Sequence, residues 1–183
     1  MLSNIKLKIA NYILFKEINT NVRKADLVIL SKAKKIGVLF DANSENTVSQ
    51  IKLLLKYFLK KNIDVEILGF VQDKKMDAHH LSTLHINYFN FNDVSLLGFP
   101  KSKKTNDFLM KSYDILINLS LDNSFPTKYL SFKSNAKFKI GIFRKREVLK
   151  YDLLFKLKIK SINYLIEQLT YYLELINKNN EKQ

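Results

Sequence analysis

Two short polar segments carry the residue types that could bind or transform a small ligand. The first holds Asp41, Asn43 and Ser44, and the second holds Ser120, Asp122, Asn123 and Ser124. A carboxylate can act as a general base or hold a hydroxyl, and neighbouring amide and hydroxyl groups can orient a ribose or sugar. A serine that begins a helix also offers amide N–H groups to a phosphate. The same residue types are ordinary caps and turn formers, which end strands and begin helices.

Other chemistries find less support. The chain has 4 glycines, and none forms a G-x-G-x-x-G or Walker loop, so no cofactor is expected. His79 and His80 are adjacent, which on a helix points them about 100° apart and on a strand to opposite faces. With His85, Asp73 and Asp77 as the only other donors nearby and no cysteine, no metal site is expected. A serine hydrolase would want a G-x-S-x-G elbow, and there is none.

Charge points elsewhere. The net charge is +14 over 183 residues, which favours an anionic partner through counterion release and steering. Two clusters could carry such a contact: Lys101, Lys103 and Lys104 in one loop, and Arg144, Lys145 and Arg146 in another. The expected partner is RNA or a ribosomal surface, with an acidic protein as the alternative. Arginine, the residue suited to bidentate base and phosphate contacts, occurs only at positions 23, 144 and 146. Lysine also travels with heavy Ile and Asn usage, as an A/T-rich coding sequence would produce, so part of the excess need not be functional.

These candidates need elements to hold them. The stretch Tyr113 to Phe143 reads as a buried strand, a loop, a helix over Pro126 to Phe132 and a second buried strand. Bounded apolar runs at Ile115 to Leu119 and Phe138 to Phe143 suit strands covered on both faces. Ile36 to Phe40 is a similar first strand, Ser44 to Lys61 a helix with a Val48, Ile51, Leu55, Phe58 stripe, and Val65 to Val71 a second strand. His85 to Phe91 is the expected third strand, preceded by a loop and short helix over Asp73 to Ser82; Thr105 to Lys111 is a further helix. Leu153 to Lys160 alternates apolar residues with lysine, the pattern of a protected edge strand. Ser161 then caps a long helix whose apolar face runs from Ile162 to Ile176 and includes Tyr172.

The expected fold is therefore α/β: a Rossmann-like, open, mainly parallel five-stranded sheet of order 3-2-1-4-5 with a sixth strand at its edge. A helical extension over 1–34 precedes the domain of 35–178, and a polar tail of 179–183 closes it. In the extension, Leu2, Ile5, Ile9 and Ile13 form a helical stripe with Lys6, Lys8 and Lys16 around it, suited to packing on the domain or lying on a membrane surface. Ala25 to Ala33 is expected to be a second helical piece. A signal peptide is not expected, since Ile9 to Phe15 is interrupted by Asn11 and followed by Lys16 and Glu17. The absence of cysteine fits a reducing compartment, and the expected location is the cytoplasm. Gly37 and Gly141, in the similar runs KIGVLF and KIGIF, read as places where a side chain would obstruct close packing.

FDAN after the first strand, LGFV at 68–71, LGFP at 97–100, YDILINLS, AKFKIGI and YDLLF together resemble an uncharacterised bacterial family, from about Lys35 to the C-terminus. That resemblance implies a shared fold and no activity. The section DILINLS to AKFKIGI also looks like the strand-helix-strand section of heptosyltransferase-type glycosyltransferases, over about 30 residues, and implies no catalytic residue. Two functions follow as expectations. The first is a non-catalytic module for an anionic macromolecule. The alternative is a small nucleotide- or sugar-binding enzyme using the crevice beyond the first and fourth strands.

Overall fold

The computed structural model describes residues 4–19 and 25–180, and the side chain of Asn19 is not among those described. Leu2 of the N-terminal stripe and residues 181–183 of the polar tail lie outside the described residues. Six strands build one sheet: β1 (Lys35–Asp41), β2 (Asp64–Val71), β3 (Ile86–Asn90), β4 (Ile115–Asn118), β5 (Phe138–Ile142) and β6 (Leu153–Phe155). Their order is β3-β2-β1-β4-β5-β6, and every pairing is parallel. The fold is the Rossmann-like open sheet that the bounded apolar runs imply, with the sixth strand at the edge.

Alternation along the strands explains why they read as unbroken apolar runs. Ile36, Val38 and Phe40 of β1 face one core, where they meet Ile115 and Ile117 of β4. Leu39 and Leu116 face the opposite core. On the first face lie α2 (Glu45–Leu59), through Val48, Ile51, Leu54 and Phe58, and α5 (Ile162–Asn180), through Ile162, Leu165, Leu169 and Leu173. On the second lie α3 (Lys103–Met110), through Phe108, and α4 (Phe125–Lys133), through Leu130. Both faces of the sheet are dry, as a parallel sheet requires.

Helix α4 is buried nearly all round, because α1 (Asn4–Asn19) lies on its outer side. Ala10, Leu14 and Ile18 of α1 pack with Phe125 and Phe132, and Phe15 meets the Phe132 ring edge-on at 5.9 Å. This corrects the packing alternative for the stripe: Ile5 is 72% exposed and Ile9 46%, so the face that packs on the domain is a different one. The physical reason is Lys128, a buried lysine of α4 whose ammonium donates to Asn11 Oδ1 at 3.0 Å. A buried cation must be met by acceptors, and with Asn11 turned inward α1 supplies one beside the Glu147 carboxylate, 3.0 Å from the same ammonium.

Three further expectations are corrected. Residues 25–29 are not helical, and only a single 3-10 turn, Leu30–Lys32, follows them. Tertiary hydrogen bonds hold this segment instead, from Asp26 N to Lys137 O at 3.1 Å and from Ser31 N to Asn177 Oδ1 at 2.8 Å. Strand β6 stops at Phe155 and does not run to Lys160, because β5, its one partner, ends at Ile142 opposite Phe155. Tyr172 of α5 is 41% exposed and sits at the margin of the packed face instead of inside it, its ring meeting Phe155 of β6 edge-on at 5.8 Å.

The central glycines are steric necessities. A Cβ on Gly37 would lie 2.9 Å from Leu116 Cδ1, and one on Gly141 would lie 2.6 Å from the Tyr151 ring. Tyr151 is buried against Phe132 and cannot swing aside freely. Gly141→Ala should therefore lower stability by about 1–3 kcal/mol, the cost of overpacking a filled core. Urea denaturation followed by circular dichroism checks this, and an unchanged midpoint would contradict the packing argument.

Candidate functional site

Strands β1 and β4 are neighbours in the sheet, and the chain winds away from them in opposite directions. Their C-terminal ends thus bound the crevice where open α/β sheets take their ligands. Asp41 closes β1 there, with 6% of its surface exposed. Its carboxylate accepts from Ser120 Oγ at 2.5 Å and Ser124 Oγ at 2.5 Å, and from the Asp122 backbone N–H at 3.1 Å. All these donors come from the loop between β4 and α4.

The loop is fastened from other sides as well. Ser120 Oγ accepts from Ser124 N at 3.2 Å, and Ser120 N donates to Asn118 Oδ1 at 3.1 Å. Asn118 in turn donates to Tyr151 Oη at 2.8 Å. Asn123 adopts a left-handed backbone, φ 54°, which asparagine tolerates better than most residues. Arg144 donates to the Ser120 and Leu121 carbonyls at 2.8 and 3.4 Å. Expected as an anion contact, it spends this donor capacity on the loop itself.

A cavity of about 410 Å³ opens in front of Asp41. Asp41, Asn43, Ser44 and Asp122 line it, together with Thr47 and Lys160, while Leu119, Leu121 and Ile162 give it an apolar side. Ser120, Asn123 and Ser124 are not part of the lining, so the seven crevice candidates divide into a lining set and a set behind the wall. Asp122 accepts from Lys160 Nζ at 2.9 Å and from Asn43 Nδ2 at 3.2 Å, which leaves Asn43 Oδ1 to accept from Gln72 N at 3.2 Å. Ser44 caps α2 by accepting from Thr47 N at 3.2 Å. Ser124 precedes α4 but caps nothing, its hydroxyl being given to Asp41.

Burial pushes the Asp41 carboxyl above its ordinary pKa, opposed by its bonds to Ser120, Ser124 and the Asp122 amide; the nearby Asp122 charge adds to the rise. Asp41 is thus a carboxylate held in place by hydroxyls, with one edge on a cavity. Chemically the crevice offers amide, hydroxyl, carboxylate and ammonium groups to a small polar ligand. Lys160 is the lining residue that an edge-strand reading hides: it reaches Asp122 because the chain leaves the sheet after Phe155.

The remaining candidates are distributed around the same edge. Lys101 and Lys103 are exposed where α3 begins, and Lys104 donates to Tyr88 O at 2.7 Å with Asp93 3.9 Å away. Lys145 and Arg146 are exposed on the loop after β5. The histidines correct their expected geometry. On the 3-10 turn Ala78–His80 the rings of His79 and His80 lie 4.0 Å apart, and Asp77, His79 and His80 bring ligand-type atoms within 4.8 Å of one another. His80 nevertheless has no lone pair to give. Its Nδ1 accepts from Asp77 N at 3.0 Å, which leaves Nε2 as the protonated nitrogen that donates to Ala42 O at 2.8 Å.

The chain belongs to a family of unknown function, DUF6913, whose model matches residues 6–176. The match begins inside α1, so the helix that covers α4 belongs to the matched region along with the sheet. No curated protein matches the chain.

Asp41 governs a pH dependence. Its raised pKa means that the native state binds its proton more tightly than the unfolded chain. The resulting contribution to stability is full below about pH 3.9 and is lost as pH rises through the raised value. Asp41→Asn should flatten that part of the curve, and denaturant melts from about pH 4 to pH 7 would read it. Parallel curves for the two proteins would refute the assignment. Asp41→Ala, which orphans two hydroxyls and an amide, should cost about 3 kcal/mol at neutral pH.

Proposed function

We propose that the chain is a non-catalytic, cytoplasmic binding module for an anionic macromolecule, with RNA or an RNA-bearing ribosomal surface as its partner. The observation that carries this reading is how the cations are paired. Near the N-terminal edge of the sheet they meet carboxylates: Lys35 with Asp64 at 3.2 Å, Lys137 with Asp114 at 2.7 Å and Lys111 with Glu66 at 2.9 Å. At the C-terminal edge Lys104 and Lys160 have Asp93 and Asp122 at 3.9 and 2.9 Å, but among the described residues Lys101, Lys103, Lys145 and Arg146 have no carboxylate within 4.0 Å. The parallel sheet brings the loops after β3 and β5 to that one edge, so charges far apart in sequence share a surface. Phe143, 43% exposed beside Arg144, adds a ring on which an unpaired base can stack. Lysine contacts of this kind track a phosphate backbone and do not read base edges.

The test is binding of single-stranded RNA at increasing salt. Affinity should fall steeply, and the salt slope should shrink by roughly 0.7 for each phosphate contact removed by Lys101→Ala, Lys103→Ala, Lys145→Ala or Arg146→Ala. Arg144 is left intact because it fastens the loop after β4. No binding at low salt would end the RNA reading and turn attention to an acidic protein.

The cavity favours a second reading, a nucleotide- or sugar-binding enzyme. On this reading Asn43, Ser44 and Asp122 hold hydroxyls and Lys160 faces a phosphate, with Asp41 as the structural wall behind them. A thermal-shift screen of nucleotides and sugar nucleotides tests it, since ligand at 100 times its dissociation constant adds about 2.7 kcal/mol of stability. A hit lost in both Asn43→Ala and Lys160→Ala supports the crevice; a screen without hits removes it.

A further inference from the structure

Helix α1 has more apolar surface than its place in the fold uses. Its inward face, Ala10, Leu14 and Ile18, covers α4. A helix needed only for that would be polar outside. Its outer side instead carries Ile5, Ile9 and Tyr12 at i, i+4 and i+7, exposed by 72%, 46% and 70%. Isolated exposed apolar residues are ordinary, but these three are successive turns of one stripe. Lys16 continues the line one turn beyond Tyr12, and Lys8 borders it; both are exposed. The single acid of the helix, Glu17, is turned aside to Lys133 at 3.4 Å.

We propose that this outer face of α1 docks the protein on an anionic lipid bilayer, with the helix lying in the plane of the interface. Aliphatic side chains and one tyrosine enter the headgroup boundary, while lysines on the same face and its border meet lipid phosphates, the pattern of a surface-bound amphipathic helix. Lysine stems can lie along apolar surface with the ammonium held at the headgroups. The charge around the stripe selects this occupant. Two copies of the chain meeting through it would bring their Lys8 and Lys16 rows together. No described helix is long and apolar enough to cross a membrane, so the contact is with one surface. The proposal is independent of the RNA and crevice readings, whose residues lie at the C-terminal edge of the sheet.

The chain contains no tryptophan, which makes one introduced indole a clean reporter. Tyr12→Trp should show a blue-shifted emission with vesicles of phosphatidylcholine and phosphatidylglycerol, weaker at high salt, and no shift with phosphatidylcholine alone. Flotation of the full chain with the same vesicles should fall roughly tenfold or more in Ile5→Ser/Ile9→Ser, and also in Lys8→Glu/Lys16→Glu. Because these side chains point away from α4, the thermal melt of each variant should match the parent. Vesicle binding that is absent, or that survives both double substitutions, overturns the proposal. So does light scattering that shows a dimer dissociated by Ile5→Ser/Ile9→Ser, which would make the stripe a contact between copies.

Discussion

A buried carboxylate must be compensated, and Asp41 is compensated by one loop alone. Ser120, Ser124 and the Asp122 amide all converge on it from the segment between β4 and α4. The backbone ladder between β1 and β4 reaches only as far as Leu39 opposite Asn118. Beyond that point side chains take over from the ladder, Asp41 with its three bonds to the loop and Asn43 with one to Asp122 at 3.2 Å. The position of Asp41 decides where α4 starts and which carbonyls turn toward Arg144. The shape of the cavity follows, since its floor is the segment that Asp41 holds.

A second constraint follows from placing α4 so tightly. Phe125, Pro126, Thr127, Lys128, Leu130, Ser131 and Phe132 are all buried, which a nine-residue helix manages only with cover on two sides. Lys128 is the difficult member. Its ammonium pairs with Glu147 at 3.0 Å and donates to Asn11 at 3.0 Å, and both charged side chains are less than a tenth exposed. Such a pair adds little net stability because desolvation offsets attraction, but losing either partner leaves a buried charge. It therefore fixes geometry: α1, α4 and the loop after β5 have one arrangement that meets the charge.

Much of this was legible in the sequence, for identifiable reasons. Strands buried on both faces must be short, continuous and apolar, so β1, β4 and β5 stood out, and right-handed crossovers ordered them. The crevice was legible because strand ends bear polar residues and parallel topology collects them at one edge, which is how Asp41, Asn43, Ser44 and Asp122 came together. What was not legible depended on partners distant in the chain. The inward face of α1 is the one that meets Phe125, Phe132 and Lys128, more than a hundred residues away, and the length of β6 is set by where β5 stops. Arg144 reads as a surface cation until its carbonyl acceptors are in place, and Lys160 reads as edge protection until the chain turns back toward Asp122. Adjacent histidines read as divergent, and only the single 3-10 turn at Ala78–His80 brings their rings to 4.0 Å, tilted against each other.

The same dependence on partners bears on the charge. Lysine is abundant everywhere in the chain, so a count of +14 by itself distinguishes no surface. Pairing does distinguish them. Where lysines lie beside the starts of parallel strands, carboxylates such as Asp64 and Asp114 sit opposite, and Asp114 also accepts from the Lys34 and Lys35 amides at 2.8 and 3.1 Å. Those cations are part of the scaffold. Burial works against the charged form of Asp114, but its bonds to Lys137 and these amides outweigh that and hold its pKa below the ordinary value. On the opposite edge Arg144, Lys104 and Lys160 are likewise engaged, by the loop carbonyls, Tyr88 O and Asp122, whereas Lys101, Lys103, Lys145 and Arg146 have no carboxylate within 4.0 Å, and an exposed cation of that kind still contributes to the field around it. The fold therefore ties part of its basic excess into the scaffold at both edges of the sheet and leaves a smaller set of exposed cations outside it.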